Sequence, residues 1–309
     1  MEGGRFRLAY LILVLAILVA AGMLGYYSFR SSREHAELGE QAIAASLLSV
    51  AQQRVEQIER YIRIADNAVF RLVDPNDPST VTTRWLPEAA TQTPSVRAVL
   101  LTDESGNVIQ WATTLEKRAR KPFLRAFRQD LVPALELDPS TASSLQHAHE
   151  TIGDHTYLIS YRGWRTVNGE LAYIVAYHDP SYLVDEVFSN IFAADESTPL
   201  YNVVDESNRI VFGPDLTEAG VYTVDHRFPT TLNTWRLQVA PRQAALLQAQ
   251  GRSRMRGEVA LPLLSFAIIL LSAIFFFYAA VKERRLNELK SELMGNVSHE
   301  LKTPLSVVR

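Results

Sequence analysis

The sequence predicts a mixed α+β protein in which two transmembrane helices flank an extracytoplasmic region, with a further helix at the C-terminal end. Three observations predict it. Residues 8–29 and 259–281 are uncharged and dominated by Leu, Ile, Val, Ala and Phe, and about 20 such residues suffice for a helix to cross a bilayer. Ala51, Val55, Ile58, Ile62, Ala65, Val69 and Leu72 alternate steps of four and three, the spacing of one apolar helix seam. Two apolar runs broken by D-E-S-G-N (103–107) and by D-E-S-N-R (205–209) read as β-hairpins.

The composition is that of folded protein, with 47% hydrophobic and 21% charged residues. A net charge of -3 without a dominant basic run gives no support for nucleic-acid binding. The absence of cysteine excludes disulfide scaffolds, zinc-thiolate sites and cysteine nucleophiles.

The elements follow in order. Residues 1–7 carry Arg5 and Arg7 and are read as a cytoplasmic N-terminus on the strength of the tail after the second span, described below. The apolar run at 8–29 is too long for the core of a cleaved signal peptide and is read as the first span. Basic residues lie on both sides of each span, so charge alone does not orient them. Two spans nevertheless place both ends of the chain on one side. A long helix occupies 30–74 and stops at Asp74-Pro75. Its seam suits packing on its own domain or a dimer interface.

Beyond it, Val96–Thr113 is a hairpin. The runs H-T-Y-L-I-S-Y-R-G-W and G-E-L-A-Y-I-V-A-Y-H-D are antiparallel strands joined at Val167-Asn168-Gly169. Asp179-Pro180 opens a helix, with Asp at the N-cap and Pro at the first helical position. Tyr201–Gly213 repeats the first hairpin signature, and a last strand is read from Thr234 to Ala240. The chain is helical from Arg242, through a juxtamembrane stretch at 251–258 and the second span at 259–281.

The tail at 282–309 carries Leu286, Leu289, Leu293, Val297, Leu301 and Leu305 on one helix face. Within it, N-V-S-H-E-L-K-T-P-L (296–305) resembles the phosphoacceptor box of HisKA-type bacterial sensor histidine kinases. The likeness covers about the last fifteen residues. The chemistry is consistent: a neutral imidazole is a nucleophile near neutral pH and can attack a phosphoryl group. The resemblance implies His299 as phosphoacceptor, Glu300 as its acid/base partner, and Thr303, one turn on, as the residue that positions water for dephosphorylating a response regulator. It also implies a homodimer of these helices. Pro304 removes a helix hydrogen bond just below the site. Too few residues separate the second span from His299 for a HAMP relay. ATP and Mg2+ are implied for the full-length kinase and not for this segment, which has no glycine-rich phosphate loop and is expected to be a fragment lacking the ATP-binding domain.

The order of elements at 30–250 resembles the double Cache sensor, a tandem of PAS-like modules behind a long helix. On that resemblance, 75–185 is the membrane-distal module and 186–250 a smaller membrane-proximal one. R-A-R-K-P-F-L-R-A-F (118–127) is similar to the family's R-x-R-P-W-Y region, and Tyr177-His178-Asp179 to its closing strand. The resemblance implies that Arg118 or Arg120 pairs with a ligand carboxylate, Tyr161 and Tyr177 line the pocket, and Asp179 accepts from a ligand amine. The bland readings are solvated arginines, strand-packing tyrosines and an N-capping aspartate. His147, His149, His155 and His178 are spaced too irregularly for a metal motif, and no metal is expected.

The expected whole is the sensor portion of a two-component kinase in the bacterial inner membrane, crossing twice, with its sensor outside. A small molecule such as an amino acid or carboxylate would control phosphorylation of His299. The alternative is a receptor input without phosphotransfer, of chemoreceptor or cyclase type.

Overall fold

The computed structural model describes residues 2–135, 137–193 and 198–305. Two compact units divide the chain: Met1–Gly39 with Leu246–Arg309, and Glu40–Ala245.

The first unit is helical, formed by the N-terminal part of α1 (Glu2–Leu72) and nearly all of a second helix, Ala244–Leu305. Among the described residues one stretch, Leu263–Met294, is long and apolar enough to cross a membrane. Residues 8–29 are helical too, and Ile12, Leu15, Val19, Met23 and Leu24 lie exposed there.

The second unit is mixed α+β, with the long helix packed against two antiparallel sheets. After α1 the chain runs through a π-wound turn, Val81–Trp85, into α2 (Leu86–Gln92). Strands β1 (Val96–Asp103) and β2 (Val108–Thr113) form the first hairpin. Helix α3 (Lys117–Ala126), a π-wound turn and α4 (Val132–Ala134) follow. Then come β3 (Gln146–Ile152), β4 (His155–Arg165) and β5 (Leu171–His178). These make a five-stranded sheet in the order β2-β1-β5-β4-β3. Short helices α5 (Pro180–Tyr182) and α6 (Ser189–Ile191), joined by π-wound Leu183–Phe188, lead to the second sheet. That sheet has four strands in the order β7-β6-β9-β8: β6 (Leu200–Val204), β7 (Ile210–Phe212), β8 (Val224–Arg227) and β9 (Arg236–Ala240). The final helix, α7, is Ala244–Leu305.

The seam of α1 faces the chain's own sheets. Leu47, Ala51, Val55, Ile58 and Ile62 join a core with Phe188, Phe192, Tyr201, Phe228, Trp235 and Leu237. One turn further, Ala65, Val69 and Val73 join a second core with Trp85, Val99, Leu101, Ile174 and Ala176. The seam packs on its own domain, the first of its two readings. An open sheet needs one apolar face covered, and the helix stripe supplies the cover.

The other face of the first sheet is closed by α3, the π-wound turn Phe127–Leu131 and the end of α4, where Phe123, Phe127, Leu131 and Leu135 are buried against Leu100, Ile159, Tyr173 and Val175. The two faces separate by the period of two: β5 sends Ala172, Ile174 and Ala176 toward α1 and Leu171, Tyr173 and Val175 toward α3.

The two hairpins share a turn. Asp103 Oδ1 accepts from the backbone N–H of Ser105 at 2.9 Å and Asn107 at 2.8 Å. Asp205 Oδ1 accepts from Ser207 at 2.8 Å and Arg209 at 2.9 Å. The fourth residue of each D-E-S-x signature takes positive φ, Gly106 at 81° and Asn208 at 60°, conformations that glycine and asparagine tolerate best. The last strand begins two residues later than the sequence suggests, at Arg236, and β3 and β8 were not expected.

Candidate functional site

A cleft of about 750 Å³ opens in the second unit beside the closing end of β5. Leu115 and α3 form one wall through Arg118, Ala119, Pro122 and Phe123. The β3–β4 turn and the start of β4 supply Asp154, His155, Thr156 and Tyr157. The end of β5 supplies Tyr177, and the helix that follows brings Asp179, Pro180, Ser181, Val184 and Asp185. Val211 and Trp235 of the second sheet close the far side.

The floor is aromatic. Phe123 stacks on Tyr177 with ring centroids 4.8 Å apart, and Tyr157 lies 5.7 Å from Tyr177. Burial, with the negative charge of Asp179 behind it, pushes the Tyr177 hydroxyl above its ordinary range. The phenol therefore stays protonated and keeps a donor for a bound molecule.

Asp179 has two partners. Its Oδ1 accepts from Ser181 N at 3.1 Å, the N-cap bond expected of Asp before Pro. Its Oδ2 accepts from Arg97 Nε at 3.0 Å, across from β1. Arg118 is mostly exposed at the mouth, 2.8 Å from Glu116.

The sequence-derived candidates are thus divided. Arg118, Tyr177 and Asp179 meet in the cleft. Arg120 turns back, its Nε donating to Leu115 O at 2.9 Å. Tyr161 lies along β4 from the cleft and donates its hydroxyl to Leu135 O, tying the strand to the end of α4. Tyr157 and Trp235 line the cleft without being among the sequence-derived candidates, and Phe123 holds the aromatic place of the 118–127 run. Tyr157 shares a strand face with Tyr161, so the period of two marks both equally. His299, Glu300 and Thr303 fall on the backbone of α7, and their side chains lie outside the described residues.

Two polar clusters behind the cleft carry no sequence signal. Asp66 of α1 is fully buried and lies between two imidazoles, with Oδ1 2.7 Å from His178 Nε2 and Oδ2 3.0 Å from His147 Nε2. Burial works to raise the Asp66 carboxyl. The attraction of His178 and the hydrogen bonds of both rings outweigh it and hold the group at about 2. His178 Nδ1 lies 3.2 Å from Ser95 Oγ.

His149 projects from the same face of β3 as His147 and reaches Thr234 Oγ1 at 2.6 Å. Its ring meets Trp235 edge-on at 4.9 Å, and its Nε2 is buried with no hydrogen-bond partner among the described residues. Burial pushes this imidazole down to about 4, so it is neutral at physiological pH. No group of three His, Asp or Glu side chains is arranged to hold a metal ion among the described residues.

No family model matches the sequence, and no curated protein matches it. Several solved structures match parts of the chain. The extracellular ligand-binding receptor from Desulfohalobium retbaense DSM5692 is 10% identical, with a TM-score of 0.40 over 63% of this chain. The chain spans only 40% of that receptor. The ligand-binding domain of the Pseudomonas fluorescens chemoreceptor CtaA, solved with L-leucine, is 13% identical with a TM-score of 0.36, covering 66% of this chain and 97% of that one. The extracellular domain of vpHK1S-Z8, a provisionally assigned histidine kinase, is 14% identical with a TM-score of 0.35, covering 66% and 94%. All three are described as extracellular or ligand-binding.

Proposed function

We propose that this chain is the sensor portion of a two-component histidine kinase, with a double-Cache-like domain outside the bacterial inner membrane and two membrane crossings. A small molecule bound outside controls phosphorylation of His299 and transfer to a response-regulator aspartate. The observation that carries the sensor half is the cleft: an aromatic floor of Phe123, Tyr157 and Tyr177, rimmed by Arg118 and by Asp154, Asp179 and Asp185. A guanidinium beside carboxylates and aromatic rings suits a small zwitterion or amine, whose two ends find opposite charges while its body displaces water from the rings. The catalytic half rests on the sequence 296–305, with Glu300 orienting and deprotonating His299 and Thr303 positioning water. The working kinase is a homodimer. ATP and Mg2+ are bound by the kinase's catalytic domain, not by this segment.

A thermal-shift screen of the whole chain in lipid nanodiscs tests the cleft. An amino acid, amine or carboxylate at 100 times its Kd adds about 2.7 kcal/mol of stability and raises Tm. Tyr177→Ala abolishes that shift. A ligand that shifts Tm equally in the Tyr177→Ala chain binds elsewhere and removes the cleft assignment.

A further inference from the structure

The end of β5 has two faces with different tasks. Tyr177 and Asp179 line the cleft. His178, between them, is turned through the sheet to the opposite face, where it is fully buried against Asp66 of α1 at 2.7 Å. Ser95 binds both sides at once. Its carbonyl accepts from Asp179 N at 2.8 Å, and its hydroxyl lies 3.2 Å from His178 Nδ1.

A second strand of contacts runs parallel. Asp179 holds Arg97 at 3.0 Å, and the Arg97 guanidinium sits 5.5 Å over the ring of Tyr182. The hydroxyls of Tyr182 and Ser95 lie beside that of Tyr61, another residue of α1, which burial pushes up to about 12.

We propose that His178, Ser95 and Asp66 form a relay that reports the state of the cleft to α1. The inference rests on the cleft being the ligand site and adds how its occupancy is read. A ligand that draws on Asp179 or Tyr177 shifts the last residues of β5. Because successive strand residues point to opposite faces, the same shift moves His178 against Asp66. A buried, charge-assisted contact is steep in distance and direction, so a small displacement changes how tightly α1 is held. Asp66 has His147 as a second partner at 3.0 Å. The carboxylate thus keeps one imidazole when the other moves, and the helix changes partners without leaving a bare buried charge. His178, Ser95 and Asp66 are positioning residues: none lines the cleft.

Hydrogen exchange on the full chain in nanodiscs tests the relay without any ligand. Asp179→Asn perturbs the cleft through β5, and Asp185→Asn perturbs it from the neighbouring helix. The relay requires Asp179→Asn to speed exchange of the α1 amides around Asp66 by about tenfold, and Asp185→Asn to leave them unchanged. In a His178→Gln background the added effect of Asp179→Asn falls below about twofold. Ser95→Ala, which removes one hydroxyl, gives the same loss of coupling should His178→Gln fail to fold. Unchanged α1 exchange in Asp179→Asn, an equal rise in Asp185→Asn, or an undiminished effect in both backgrounds overturns the proposal. A failed ligand screen with the coupling intact removes the cleft assignment instead.

Discussion

At the scale of single residues, the most consequential groups are buried histidines and the partners they found. His149 is held at about 4 against an ordinary 6.5 because its ring is buried. The unfolded chain takes up a proton near 6.5 that the folded ring resists. Stability is therefore full above about pH 6.5 and declines as the pH falls toward 4. Between pH 6.5 and 5 the loss is about 2 kcal/mol. His149→Gln, which has no such proton to take, is expected to flatten that part of the Tm-versus-pH curve, and an unchanged slope assigns the acid sensitivity to other groups. None of this was legible beforehand. Asp66 meets His147 and His178 across 81 and 112 residues of sequence, and spacing carries no signal over such separations. Arg118, Tyr177 and Asp179, singled out by the double Cache resemblance, line one cleft, and the N-cap of Asp179 is the part that local chemistry marks. Tyr157 rather than Tyr161 lines the cleft, because alternation fixes the face of a strand but not which end of it meets the cleft.

At the scale of elements, the turns were the most legible features and two edge strands, β3 and β8, the least. The signature D-E-S followed by Gly or Asn encodes one turn twice, through the aspartate that accepts backbone N–H groups and the residue that takes positive φ. By contrast β3 and β8 read Q-H-A-H-E-T-I and V-D-H-R. Both lie at sheet edges, where little side-chain burial is demanded and no apolar run results. Glycines separate the same way. Gly213 has φ of 86°, and a Cβ there would run into the backbone carbonyl of Tyr201, across the second hairpin. Gly169 has φ of 83° but faces open space. Gly169→Ala is expected to cost about 1 kcal/mol, the penalty of the left-handed conformation alone. Gly213→Ala is expected to cost about 3 kcal/mol or more, because backbone must also move. Denaturant unfolding of both variants checks the ranking, and equal losses mean the second hairpin yields freely.

At the scale of the whole molecule, the proposed function depends on two separate places, the cleft and His299. Period-two strands and hairpins marked the mixed α+β class, and the likeness of 296–305 to a phosphoacceptor box carries the proposed kinase half. Incubation of the chain with a cognate catalytic domain, ATP and Mg2+ is expected to label it with phosphate, and His299→Gln to lose more than about nine-tenths of the label, as fits removal of the attacking group. Full labelling of His299→Gln moves the acceptor elsewhere. No labelling of the parent chain favours a receptor input without phosphotransfer. Fold class was legible because amphipathic period is a local property. The tie between α1 and both sheets was not, because it depends on which distant surfaces need cover.

That tie also governs how the molecule comes into being. The stripe of α1 from Leu47 to Val73 finds its partners as late as Leu237 and Val239. A ribosome adds about 5–20 residues per second, so the stripe waits roughly 10 to 35 s before its last covering strand exists. Through that interval a finished helix carries an apolar face that its last strand has yet to cover. Its contacts are among the most distant in sequence, which places them late in folding. The feature that binds the two sheets into one unit is therefore also the point at which the nascent chain depends most on a chaperone, or on a second nascent copy not seizing the helix first.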